Sequence, residues 1–156
     1  MEQISEHVKF KVNYSMYLAE MTEIFNRRIN QFLTFLQILL GASVFGNIQY
    51  GWLLGFFISS ISAIQLTIKF GEIAGNSKSQ VRIYRMLANE LCKLSEDQIN
   101  SKINEIEKNN SRTLISLYKL AKKRTSIALY GIDKEDDNTL TRWEQIVYFI
   151  SGGVTK

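Results

Sequence analysis

The chain has no proline, only nine glycines, one cysteine and one histidine in 156 residues. Without proline nothing strongly punctuates a long helix. Strand-like runs are few, so the expected class is all-α. A single cysteine, Cys92, excludes a disulfide within the chain and leaves no metal-ligand spacing. Placed near Leu91 and Leu94, it reads as a small buried side chain. The lone His7, close to Glu6 and Lys9, has no partner cluster and reads as a surface residue. A Gly-rich phosphate loop, a nucleophile with its base and a paired acidic motif are also missing. Neither an enzyme nor a cofactor is expected.

Charge is missing too, but only in one place. Residues 29 to 68 carry none in 40 positions, whereas residues 76 to 143 are dense in Lys, Glu, Arg and Asp. The mean hydropathy of −0.08 describes neither part. The net charge of +4 and pI near 9.2 are compatible with an anionic membrane surface or a nucleotide. They are too mild to indicate nucleic-acid binding. The first 28 residues alternate charge with apolar positions and lack the apolar core of a cleavable signal.

Residues 1–28 form the expected amphipathic helix, with Phe10, Tyr14, Tyr17, Met21 and Ile24 on one face and Arg27-Arg28 closing it. Val8, Phe10, Val12, Tyr14 and Met16 also alternate as a strand would, but that pattern stops while the helical one continues. Then come "INQFLTFLQILLGASVF" and "WLLGFFISSISAIQLTI", 17 residues each, around the short "GNIQYG". Each helix spans about 26 Å against a bilayer core of about 30 Å. The reading is a membrane protein with a two-helix transmembrane hairpin at 29–69, its helices at about 29–46 and 51–68. Tyr50 and Trp52 occupy the place of an interfacial aromatic belt. A buried hairpin in a soluble bundle is the alternative, kept open by Asn30, Gln31, Gln37 and Gln65. Against it, soluble core helices keep a charged stripe where one face meets water.

Lys9, Lys11, Arg27 and Arg28 precede the uncharged block, and Lys69, Lys78, Arg82 and Arg85 follow it. The turn between its helices has no Lys or Arg, so both termini are expected in the cytoplasm. That makes the chain a multi-pass membrane protein with only the turn exposed outside. Residues 70–131 form a cytoplasmic helical region. The helix after Lys69 either runs on or breaks near Gly75-Asn76, and Val81, Tyr84, Leu87, Ala88, Leu91 and Leu94 share a face beyond it. Ser95 and Gln98 make a capping box. Ile99, Ile103, Ile106, Asn110, Thr113, Leu117 and Leu120 then continue as a coiled-coil-like seam, with a local break possible at "KNNS" and a C-terminal stop at Gly131. Residues 132–156 comprise an acidic loop, "DKEDDN", and a short docking helix opened by a Thr141/Glu144 capping box. The loop lacks the glycine and distal glutamate of a calcium loop. The docking helix would lie on the membrane surface or on the bundle, and "SGGVTK" is expected to fray.

A small residue recurs at every fourth place along the second apolar helix: Gly51, Gly55, Ser59, Ala63, Thr67, Gly71 and Gly75. In lipid, such spacing lets helix backbones approach closely. The row drifts by about 40° per step, so only three or four of its members face one straight partner. That partner is either the first helix, where Gly41 and Gly46 offer gaps, or a neighbouring subunit. Gln37, Ser62 and Gln65 are polar groups in lipid-compatible helices. They seek either a water-filled lumen in a ring of hairpins or partners within the helices themselves. Lys119, Lys122, Lys123 and Arg124 form a basic group, read either as a solvated helix face or as a site for phosphates of lipid or nucleotide.

The pieces "FNRRINQFLTFLQILLGASVF" and "VRIYRMLANELCKL" resemble the SLATT group, two-transmembrane effector domains of bacterial antiphage systems. The resemblance covers residues 10 to 130 in organisation, and "TRWEQIVYFI" lies outside its pattern. It implies a membrane-disrupting effector that oligomerises when a nucleotide signal or a sensor protein triggers it. The alternatives are a phage holin-like or superinfection-exclusion protein, and a membrane-anchored scaffold without a pore.

Overall fold

The computed structural model describes residues 5–44, 49–108, 112–131 and 140–153, and among these it is helical with no strand. Helix α1 runs unbroken from Glu6 to Val44, about 58 Å long. It continues straight through Arg27-Arg28, where the sequence suggested an end. Arginine is a good helix former, and no glycine or proline lies nearby to stop the chain. The strand alternative for residues 8–16 is therefore overturned. Helix α2 is Gly51–Ile68 and α3 is Phe70–Glu90. A 3₁₀ turn, Leu91–Lys93, leads to α4, Glu96–Lys108. Helices α5 (Ile115–Tyr130) and α6 (Arg142–Ile150) follow.

The second helical limb runs back along α1: α2 pairs with its distal half and α3 with its proximal half. The two limbs differ in how they meet water. Proximally, two apolar clusters form. In the first, Val8, Val12 and Ala19 of α1 meet Tyr84, Leu87 and Leu91, with Ile99, Ile103 and Ile106 of α4. In the second, Met21 meets Leu117, Leu120 and Ala121 of α5 and Val147 of α6. Helix α1 is thus buried on two sides, so its stripe is broader than the single face read from the sequence. Phe10, Tyr17 and Ile24 are only half-buried, while Val8, Val12 and Ala19 carry much of the contact.

Local chemistry sets the element ends. The Ser95/Gln98 box forms, with Gln98 Oε1 accepting from the Ser95 N–H at 3.1 Å and Ser95 Oγ from the Gln98 N–H at 3.4 Å. The Thr141/Glu144 box forms as well. Gly131 ends α5 at φ 69°, its N–H donating to the Ile127 carbonyl, a left-handed stop that glycine adopts without a Cβ penalty. The seam read across residues 99–120 is divided between α4 and α5, and each half enters a different cluster. Asn110 lies outside the described residues, as do Gly46, the acidic loop at 133–138 and the side chain of Cys92. Ser151 is fully buried and Gly152 packs on Ile24, so this part of the tail is docked rather than frayed.

Between α2 and α3 stands Lys69 at φ 57°, ψ 47°, a left-handed position for a non-glycine residue. Its N–H still donates to the Gln65 carbonyl at 2.9 Å, and its own carbonyl accepts from Ile73 at 3.1 Å. The helix therefore continues past the first charge after a one-residue break, and it does not break near Gly75-Asn76.

Candidate functional site: the uncharged hairpin and its base

Helix α2 has no buried residue. Phe32, Phe35, Ile38 and Leu39 of α1 and Trp52, Phe56, Phe57 and Leu66 of α2 all point outward; Leu66 is 76% exposed. Among the described residues, the run Gly51–Glu90 alone is long and apolar enough to cross a membrane: it holds an 18-residue stretch of mean hydropathy 1.6, none of which is buried. Within the described residues the uncharged part of α1 is 29–44, which is 16 residues and short of a full span by itself. Asn30, Gln31 and Gln37 lower its hydropathy, and Arg27-Arg28 stand immediately before it.

Gln37 and Gln65 reach across to the facing helix. Gln37 Nε2 donates to Ser62 Oγ at 2.8 Å. Gln65 Nε2 lies 3.3 Å from both Asn30 Oδ1 and Thr34 Oγ1, and 3.5 Å from the Asn30 carbonyl. The three residues assigned to a lumen thus each bond to a partner inside one hairpin. Ser59, Ser60 and Ser62 donate to the carbonyls of Gly55, Phe56 and Ile58 in their own helix. Hydroxyls bonded back in this way add little polarity to the outer surface of the hairpin.

From Gly51 to Ala63 the small row does not line the intramolecular contact, whereas a Cβ at Gly71 would touch Asn30 Nδ2 at 3.7 Å. A Cβ built at Gly41, Gly51 or Gly55 would meet nothing within 4 Å. Ser59 and Ala63 are exposed as the row winds away from α1. Within one chain, therefore, these five positions leave their surface free.

The basic group on α5 is partly neutralised. Lys119 Nζ lies 3.5 Å from Glu144 of α6, and Arg124 Nη2 lies 3.4 Å from Glu20 of α1. The Arg124 guanidinium also sits 4.8 Å from the Tyr17 ring centroid. Lys122 and Lys123 have partners as well. Lys119 and Arg124 thus fasten α5 to α6 and α1. Glu144 is held below the usual carboxylate range, first by the Thr141 N–H, then by the Thr141 hydroxyl, with Lys119 adding to the effect.

Below the hairpin, a cavity of about 260 Å³ lies between α1, α3 and α5. Sequence reasoning missed it, because its lining comes from residues about 100 positions apart. Tyr14, Tyr84, Ser77, Gln80 and Glu107 contribute to the wall. Burial pushes the Tyr84 phenol above its ordinary pKa, with a hydrogen bond from Ser15 opposing this and Glu107 reinforcing it. Tyr14 is raised by burial and then by Tyr118. Ser77 is 1% exposed, and its Oγ has no hydrogen-bond partner. Such a group is costly unless water or a ligand reaches it. Among the described residues no cluster of His, Cys, Asp and Glu is arranged to hold a metal.

The base of the hairpin is where the two parts meet. Arg28 Nη1 donates to the carbonyls of Phe149 and Ile150, both at 3.0 Å, which ties the C-terminal end of α6 to α1. Those carbonyls are among the last four of the helix, which lack partners within it and attract positive charge. Comparison with protein-family models, with curated proteins and with solved structures finds no match in any of the three.

Proposed function

We propose that the chain is an oligomerising inner-membrane effector that disrupts or permeabilises the bilayer in antiphage defence. In this reading both helices of the hairpin cross the membrane. One observation carries it: the uncharged halves of α1 and α2 pair with each other yet leave their bulky side chains outside and bury none of α2. Water is a poor solvent for such a surface, whereas lipid or further copies of the hairpin suit it. Residues before and after the hairpin share one bundle, which supports placing both termini on the same side of the membrane. The Lys and Arg distribution makes that side the cytoplasm. The bundle would receive a sensor protein or nucleotide signal. The small row, free of contacts within the chain, would join hairpins.

Two measurements test this. Ion flux from liposomes holding the purified protein reads the permeabilising activity; its absence under every trigger tried defeats the proposal. Gly55→Leu reads the assembly step. Its side chain has room in the single hairpin, so loss of the oligomer with retained insertion would locate a contact between chains. An unchanged oligomer would remove the row from the interface.

The second reading is a membrane-anchored scaffold without a pore. It is favoured by the pairing of Gln37 with Ser62 and of Gln65 with Asn30 and Thr34, because these bonds make a lumen unnecessary. Gln65→Leu separates the two. Lower conductance with intact assembly supports a lumen, and weaker assembly without a conductance change per oligomer supports a clamp between helices.

A further inference from the structure

Helix α6 is docked on the bundle by one side only. Val147 is fully buried, whereas Trp143, Ile146 and Phe149 are 59%, 51% and 70% exposed. Steps of three along a helix keep these side chains within one outward arc of about 120°. The helix is nine residues long, too short to cross a bilayer. Its position is specific. Arg28 holds the carbonyls of Phe149 and Ile150, and it stands one residue before the uncharged block begins. Gly152 packs on Ile24 of the same stretch. The C-terminal end of α6 is therefore fixed at the level where the chain passes from the charged bundle to the apolar hairpin.

We propose that the outer face of α6 is a lipid-docking surface, with Phe149 and Ile146 entering the headgroup boundary of the bilayer that holds the hairpin. This rests on the membrane-spanning reading of the hairpin. Aromatic side chains favour that boundary, and cationic side chains there meet anionic headgroups. Arg27, beside Arg28, keeps a side chain 54% exposed, and Lys69 ends the other helix of the hairpin with one 65% exposed. Arg27 pairs with Glu23 at 3.4 Å and Lys69 with Glu72 at 3.2 Å, so exposed ion pairs and an adjoining apolar face lie at one level. Trp143, six residues before Phe149, lies about 9 Å back along the helix from the end that Arg28 holds.

The chain has two tryptophans, Trp52 in the hairpin and Trp143 on α6, which allows the two claims to be read apart. Three single-indole proteins are compared in vesicles of zwitterionic and anionic phospholipid with brominated acyl chains. They are Trp143→Phe, Trp52→Phe, and Phe149→Trp in the background lacking both native tryptophans. The proposal expects the indole introduced at 149 to lose emission to shallow bromines and to resist aqueous acrylamide, with Trp143 intermediate. If Trp52 is shielded and quenched by lipid while the indole at 149 remains open to acrylamide, lipid docking of α6 is overturned and the hairpin reading stands. If Trp52 is itself open to acrylamide, the membrane-spanning reading fails first. Shielding at 149 without quenching by bromine would show that protein covers this face, and would also overturn the proposal.

Discussion

The bond between Gln37 and Ser62 offers a direct measure of what holds the hairpin together. Replacing Gln37 with leucine removes the donor of the 2.8 Å contact. Ser62 is not orphaned, because its hydroxyl still donates to the Ile58 carbonyl at 2.9 Å. The cost is then that of one bond between helices, about 0.6 and at most about 1.7 kcal/mol in a membrane environment. Ser62→Ala is the costlier single change. It strands the Gln37 amide in a half-buried position, a desolvation penalty of about 1–3 kcal/mol. In Gln37→Leu/Ser62→Ala the stranded amide is gone, so the double variant should lose less than the sum of the singles. The expected coupling is about 0.6 to 1.7 kcal/mol. Reversible unfolding in mixed micelles reads the four members of the cycle. Ser60→Ala serves as a control, since its hydroxyl bonds only to Phe56 of its own helix at 2.8 Å. If the single effects simply add, the two helices do not meet at this pair and the inward placement of the polar side chains is refuted.

Three further expectations concern the bundle. Ile103 and Leu120 are both 0% exposed in separate clusters, so Ile103→Ala and Leu120→Ala should each cost about 2–5 kcal/mol in denaturant unfolding, and a negligible loss at either would dissolve that cluster. Lys69→Gly relieves the left-handed strain of about 1–2 kcal/mol but adds chain entropy of about 0.5–1 kcal/mol, so the melting temperature should rise slightly; a fall would show that the break lies elsewhere. Glu144 has a depressed folded pKa, so its contribution is present above the ordinary carboxylate value and is lost as pH falls through the lower folded one. Wild type should therefore exceed Glu144→Gln in stability at neutral pH, and the gap should close in acid. A gap independent of pH would mean that the cap does not hold the carboxylate.

The features legible in the sequence are those decided within a turn or two of helix. Both capping boxes pair a hydroxyl with a side chain three residues on, and the geometry that joins them is local. The stop at Gly131 follows from glycine's tolerance of positive φ. The all-α class, the uncharged block and the apolar face of α3 follow from composition and a 3.6-residue period, which one chain segment carries by itself.

What only the tertiary structure decided is which face meets which neighbour. Gln37 and Gln65 look alike from the sequence whether they line water or pair with a facing helix; the rotation of α1 against α2 turns them to Ser62, Asn30 and Thr34. The same rotation carries Ser59 and Ala63 outward, so of the two partners the row suggested, the first helix and a neighbouring subunit, these positions do not meet the first helix. Lys119 and Arg124 read as neighbours on one helix, yet they reach carboxylates on two different helices. Arg28 looked like the end of a segment and instead fastens a helix 121 residues away. Pairings of this kind depend on the register and rotation of packed helices, and the packing of the whole core sets both, so no local pattern encodes them.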